Sequence, residues 1–407
     1  MRAENGTEVP STPPYSDLKS LKSSVVSSES SDWDIYNTIR RYTNHLNKIP
    51  HWDTAENNKE LILNFLKKTE IEGIGLVQRV KYVDAFRTLL TAVNKDMTKF
   101  TGKDLEEFLY HMRIYKPKTR HTRWYSIKKF FRYIDKKDIY NNIEPHFDKK
   151  GMKLPEELLT EDDIKKMISA ANNIRDKALI SVLYESGARI GELLTRRRKH
   201  ITFDDYGAVM TVDGKIGMRR VRLIHSVPLL ANWMENHPKR DDDNVFLWIS
   251  MNDYTNPVKY MAIANMLKLT AKHAGIKKRI YPHIFRHSRA TYMANKLTEQ
   301  QLKVYFGWTG DSAMASTYVH LSGRDVDNAI LELNGIKEKT EENGNGFKVK
   351  NCPRCRVNSD PSSKYCNRCG MVLDDNEAFD LKDLTSNEDF KVFLQEAFVK
   401  WKGSRVV

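Results

Sequence analysis

The spacing of apolar residues constrains this chain most. Over residues 33–138 they recur three and four positions apart: Ile35, Ile39, Tyr42 and Leu46; Leu61, Phe65 and Leu66; Val80, Val83, Phe86, Leu89, Leu90 and Val93; Trp124, Ile127, Phe130, Phe131 and Ile134. That is the period of an amphipathic helix, and no alternating strand pattern interrupts it. Helices with one apolar stripe each must bury it against one another, so four or five of them predict a compact helical domain over 33–138. Thr101, with Asp104 three residues on, marks one helix start just before Leu105, Phe108 and Leu109. Residues 1–32 are rich in Ser, Pro and Glu and read as a disordered tail.

Helical spacing lapses over 139–159, where Pro145, Gly151 and Pro155 mark a linker. Thr160 with Asp163 opens a second domain, 160–336. Its pattern is helix, helix, a strand hairpin (Ala208 to Val212 and Val221 to Ile224, turning at Gly214–Gly217), then helices again. A polar linker, 337–349, leads to a cysteine-bearing segment, 350–375. An amphipathic helix over 376–407 follows, carrying Phe390, Phe393, Leu394, Ala397 and Trp401. The fold class is mainly α with a small β hairpin or sheet.

The four cysteines are Cys352, Cys355, Cys366 and Cys369, with none elsewhere in the chain. Two C-x-x-C knuckles ten residues apart suit four thiolates on one tetrahedral zinc. Pro353 and Gly370 fit the turns of a zinc ribbon. Four sulfur ligands leave no open position, so the zinc is expected to be structural and to supply the folding energy of so short a segment. Redox pairs or disulfides are the other reading.

Charge points to a partner. Lys+Arg number 67 and Asp+Glu 53, a net charge of +14. Such an excess favours a polyanion, nucleic acid before a membrane surface. No apolar run approaches the ~18 residues of a membrane helix, and no signal-peptide core opens the chain, so a cytoplasmic, nucleoid-associated protein without a membrane partner is expected. The last helix of the first domain and its approach are basic: Lys116, Lys118, Arg120, Arg123, Lys128, Lys129, Arg132, Lys136 and Lys137, against Asp135. This reads as a face that tracks a phosphate backbone. Arg196 to Lys199 and Lys277 to Arg279 are two further basic clusters.

In the second domain Gly187 breaks a helix, and a new turn sets Arg189 and Glu192 three apart on one face. Pro282-His283-Ile-Phe-Arg286-His287 places His283 and Arg286 together at a helix start. H-x-x-R alone is weak, because His237 to Arg240 is a second copy in a polar stretch. Gly307-Trp308 is followed ten residues later by Thr317-Tyr318-Val-His320. Taken together and in order, Ser-Gly-Ala-Arg-Ile-Gly-Glu-Leu-Leu, Lys215 on the hairpin, Pro-His-Ile-Phe-Arg-His, Gly-Trp and Thr-Tyr-Val-His resemble the tyrosine recombinase family of lambda integrase and Xer proteins. The resemblance covers roughly residues 33–335.

The resemblance implies a helical core-binding (SAM-like) domain and an α+β catalytic domain clamped on duplex DNA. It implies an enzyme that breaks and rejoins DNA through a 3′-phosphotyrosine, using no nucleotide and no catalytic metal. Arg189 and Arg286 would clamp the phosphate, and His283 and Trp308 would bond it or orient the nucleophile. Lys215 would protonate the leaving 5′-oxygen, Tyr318 would attack, and Glu192 would support Arg189. Arg219, Arg220 and Arg222 stand near Lys215, and a shift of register would move its role. Trp308 departs from the histidine commonest at its position. It keeps an N–H but shuttles no proton, which leaves general-base work to His283 or to no side chain. A helix over 323–334 would dock on a neighbouring protomer. Self-association on DNA is implied, a tetramer at paired sites and a monomer or dimer off DNA. The ribbon resembles archaeal versions and suggests an archaeal source. A type IB topoisomerase-like nicking-closing enzyme and a non-catalytic DNA-binding protein are the competing readings.

Overall fold

In the computed structural model the described residues are 21–22, 34–147, 157–214, 217–321, 334, 350–356, 358–359, 363–366 and 369–373. Lys215, the tail over 1–33 apart from residues 21–22, the docking helix over 323–333 and the terminal helix over 376–407 lie outside them. The chain divides into two compact units, Met1–Met152 and Lys153–Val407.

The first unit holds α1 (Thr38–Lys48), α2 (Glu56–Ile71), α3 (Leu76–Ala92), α4 (Gly102–His111) and α5 (Pro117–Tyr133). The Asp34 carboxylate accepts from the Thr38 and Ile39 amides and so caps α1. Asp104 accepts from the Thr101 amide at 2.7 Å at the start of α4. The predicted apolar positions form the core. Phe65, Phe86 and Phe130 pack edge to face with centroids 4.9–5.6 Å apart, all fully buried. Each such ring stabilises the unit by about 1.5–3 kcal/mol.

In the second unit, α6 (Glu161–Ala170) starts at Thr160, whose hydroxyl accepts from the Asp163 amide while the Asp163 carboxylate accepts from the Thr160 amide. Lys278 clips this cap to a distant segment, bonding Asp163 and the Leu158 carbonyl at 2.7 Å each. Helix α7 (Ile174–Ser186) is buried over its whole last half, from Ala178 to Ser186. It is apolar nearly all round rather than striped, as a central helix must be. It ends at Gly187, whose φ of 54° is the left-handed cap that glycine supplies. Helix α8 (Ile190–Leu194) follows at once.

The sheet has three strands, one more than the hairpin expected. β1 (Ile201–Asp204), β2 (Gly207–Gly214) and β3 (Gly217–Leu223) lie antiparallel in that order. β1 buries only Ile201, and an edge strand exposed elsewhere leaves no alternation to read. β2 and β3 pair from Ala208↔Leu223 to Gly214↔Gly217, longer than the sequence suggested. Then come α9 (Val227–Glu235), α10 (Tyr260–His273), α11 (Pro282–Ala294), α12 (Glu299–Phe306) and α13 (Met314–Leu321). The cysteine segment carries two short paired strands, β4 (Lys350–Asn351) and β5 (Asn358–Ser359). Among the described residues no helix is long and apolar enough to cross a membrane.

Candidate active site

Two helix ends and one hairpin build the site. At the first end, Gly187 admits no side chain: a Cβ there would lie 2.5 Å from the Phe306 ring. The chain therefore turns tightly and sets Arg189 just before α8. Arg189 is half-buried, and its Nη1 donates to Glu192 Oε1 at 2.6 Å, while its amide donates to Oε2 at 3.0 Å. Arg219, on β3, donates from Nη2 to the same Oε2 at 2.7 Å and from Nε to the Tyr305 carbonyl at 3.0 Å. Burial alone would raise the Glu192 carboxyl, but bonds from and the charges of Arg219 and Arg189 hold it below its ordinary value. Glu192 is thus a buried anion that orients two guanidiniums.

At the second end, Gly307 closes α12 with φ 61°. Arg286, from the first turns of α11, lies between the two ends and is 2% exposed. Its Nη1 donates to the Gly187 carbonyl at 2.9 Å and its Nη2 to the Phe306 carbonyl at 2.6 Å. The guanidinium also stands over the Phe306 and Trp308 rings, 5.1 and 5.5 Å from their centroids. Burial and the nearby charge of Arg189 press its pKa down to about 9. Three guanidiniums (Arg189, Arg219, Arg286) thus surround one carboxylate, and the surplus positive charge favours an incoming anion.

Trp308 follows Gly307 directly and stacks in parallel on Tyr318, centroids 5.4 Å apart and planes 6° apart. It also stacks on Phe306, with centroids 5.0 Å apart. Tyr318, on α13, is 2% exposed, and burial pushes its hydroxyl up to about 12 against the pull of Arg286. That hydroxyl is hydrogen-bonded to Nδ1 of His287. His283, one helical turn earlier, is exposed and meets the His287 ring edge-on, centroids 4.6 Å apart.

The fold therefore brings Arg189, Glu192, His283, Arg286, Trp308 and Tyr318 into one cleft, with Lys215 outside the described residues. Two members were missed as site residues. Arg219 was named only as one of three neighbouring arginines; the signal that singles it out is strand alternation, which puts it on the face of the buried Val221 and Leu223 and turns Arg220 and Arg222 away. His287 stands four residues after His283, on the same helix face. The other H-x-x-R proves structural: His237 is buried, bonded to the Phe246 carbonyl at 3.1 Å and to the Lys239 amide at 3.1 Å.

The basic clusters fare differently. Arg196 is 7% exposed and spends its donors on the Glu192 and Thr211 carbonyls, and Arg198 bonds the Met234 carbonyl at 2.7 Å. Both hold the framework rather than a free basic surface. In the first unit Lys116, which caps α5, and Lys118 and Arg132 on it are exposed. Arg123 lies 3.9 Å over Tyr115, Arg120 5.7 Å over Phe147 and Lys128 4.9 Å over Tyr140, while Lys129 pairs with Glu72 at 2.9 Å. Aromatic rings thus hold three members of this basic run in place.

The sulfurs of Cys352, Cys355, Cys366 and Cys369 all lie within 4.8 Å of one another. The Cys352–Cys369 and Cys355–Cys366 pairs are each 3.5 Å apart. A disulfide would need about 2.05 Å. Four Zn–S bonds of about 2.3 Å would put tetrahedral sulfurs roughly 3.8 Å apart, so these residues could hold a metal ion.

The phage integrase family pattern matches residues 157–324, which contain the whole cleft. The chain is 29% identical over 272 residues to a tyrosine recombinase of Thermosipho africanus, covering 62% of this chain and 91% of that protein. The segment that holds the site, residues 157–324, thus belongs to the phage integrase family. Tyrosine recombinase XerA of Pyrococcus horikoshii is 25% identical over 247 residues, covering 59% of this chain and 81% of its own length. The fold of this chain also matches a XerH site-specific recombinase solved with a palindromic difH substrate in a post-cleavage complex. That match has a TM-score of 0.55 at 20% identity, over 78% of this chain and 95% of the other.

Proposed function

We propose that this recombinase cleaves and rejoins duplex DNA at specific sites through a 3′-phosphotyrosine. One observation carries the reading: a tyrosine hydroxyl and two guanidiniums, Arg189 and Arg286, meet in a cleft whose only close carboxylate, among the described contacts, is already shared by two arginines. A phosphodiester under attack gathers negative charge on its equatorial oxygens. Arginines match those oxygens two at a time, and here they take the place that Mg²⁺ takes in metal-dependent enzymes. Arg189 and Arg286 form the clamp, with Glu192 holding Arg189. His283, exposed at the rim, bonds the phosphate. Trp308 sets the plane of the tyrosine ring. Tyr318 attacks phosphorus, and Lys215 protonates the 5′-oxygen as it leaves. The phosphotyrosine keeps the energy of the broken bond, so a 5′-hydroxyl of a second duplex can reverse the step without a nucleotide.

The exposed lysines and arginines of α5 track the backbone of the same DNA. The cysteine cluster binds one structural zinc. Copies of the chain assemble on DNA, as a tetramer when two sites are paired, in the cytoplasm on the nucleoid. An archaeal source fits the ribbon and the Pyrococcus relative, and a bacterial one fits the Thermosipho relative equally.

The test uses a nicked duplex carrying a site that the protein selects from random sequence. Cleavage beside the nick releases a short strand and traps the enzyme. A covalent adduct on the 3′ side, absent with Tyr318→Phe, is expected. An adduct that survives in Tyr318→Phe, or that forms at the 5′ end, refutes the reading. Exchange between two marked sites, rather than simple relaxation, separates recombination from nicking and closing.

A further inference from the structure

The nucleophile needs somewhere to send its proton. Its hydroxyl, pushed up by burial, does not ionise unaided near neutral pH. Trp308, where a histidine could have stood, has no acceptor nitrogen. His283 is exposed, and its ring meets the His287 ring edge-on. The group placed on the hydroxyl is His287, through Nδ1. Its ring is partly buried, one turn along α11 from His283 and one residue beyond Arg286. Trp308, stacked flat on Tyr318, fixes the ring and hence the direction of the O–H bond.

We infer that His287 is a catalytic residue: it takes the proton of Tyr318 as the tyrosine attacks and returns it when the strand is resealed. In cleavage the Oη–H bond breaks and an N–H bond forms at Nδ1. Oη bonds to phosphorus, the bond from phosphorus to the 5′-oxygen breaks, and that oxygen takes the proton of Lys215. Resealing runs every transfer backward. The ring begins neutral, with its proton on Nε2, and is doubly protonated while the phosphotyrosine exists. The two histidines of α11 thus divide the work, His283 on the phosphate and His287 on the nucleophile. This rests on the reading of Tyr318 as the nucleophile.

The nicked duplex described above is the probe. His287→Ala is expected to slow adduct formation about a hundredfold or more, as loss of a general base does. Added imidazole, which fits the space left, is expected to restore much of the rate. His287→Asn keeps a hydrogen-bonding group near the same place but accepts no proton. It is expected to bind DNA and melt like the parent, to cleave as slowly as His287→Ala, and to ignore imidazole. Cleavage by either variant at the parent rate or faster overturns the inference, because the contact would then only restrain the resting tyrosine. A folded, DNA-binding His287→Ala that stays slow in imidazole overturns it too. Failure of the underlying reading looks different: the parent itself forms no adduct, or Tyr318→Phe still does.

Discussion

Glu192 shows how one buried side chain organises a site. It is a base to neither substrate nor nucleophile; it accepts from Arg189 and Arg219 and fixes where both point. Glu192→Gln keeps the shape, removes the charge and cannot accept on both atoms. Adduct formation on the nicked duplex is expected to fall roughly 10- to 100-fold, with DNA binding little changed. The substitution also has a pH signature. The Glu192 carboxyl is held below its ordinary value of 4.5, so its stabilisation is fully present above that value and lost as pH falls through the lower, folded value. Urea melts should therefore separate parent from Glu192→Gln near neutral pH and converge in acid, well below 4.5. A gap that persists in acid would mean that packing, not charge, makes the difference. The pairing of Arg189 with Glu192 could be read from their spacing. The partner on β3 was not, because the strand read from the sequence, Val221 to Ile224, began after Arg219; β3 starts at Gly217, and its pleat puts Arg219 on the face of Val221 and Leu223.

At the scale of elements, the site depends on how helices stop. α7 and α12 both end in left-handed glycines, and the carbonyls of Gly187 and Phe306 at those ends receive Arg286. A helix C-terminus carries partial negative charge, which suits a buried cation. Gly187→Ala forces a side chain into a left-handed residue and against Phe306, at 2.5 Å before relaxation. The backbone term alone costs about 1–2 kcal/mol. Moving Phe306 also disturbs the stack of Trp308 on Tyr318. A lower melting temperature is expected, with a loss of cleavage that remains at temperatures where the variant is fully folded. Full activity in the folded variant would show that the two helix ends move independently of the cleft. The stop at Gly187 was legible, as were the helix starts at Thr101 and Thr160, because caps are local chemistry. Strand β1 was not, since an edge strand with one buried residue carries no period.

For the whole molecule, the division of labour predicts that metal and chemistry separate. Purified protein should carry about one zinc per chain, released when the thiols of Cys352, Cys355, Cys366 and Cys369 are modified. A strong chelator should make residues near 350–373 sensitive to protease and leave cleavage of short duplexes largely intact. Cleavage lost in step with zinc would tie the cysteine segment to the reaction. The sequence by itself determined the helical first unit, the cap and glycine punctuation, the paired cysteine knuckles and the order of Arg189, His283, Arg286, Trp308 and Tyr318. All of these rest on period, spacing and side-chain type, which act within a few residues of one another. Only the tertiary structure decided which basic residues face the cleft and which serve the framework. It turned Arg219 inward, bound Arg196 and Arg198 to backbone carbonyls, and set His287 rather than His283 on the Tyr318 hydroxyl. The physical reason is that those choices rest on contacts between segments 15 to 86 residues apart, where burial and geometry select among chemically similar side chains.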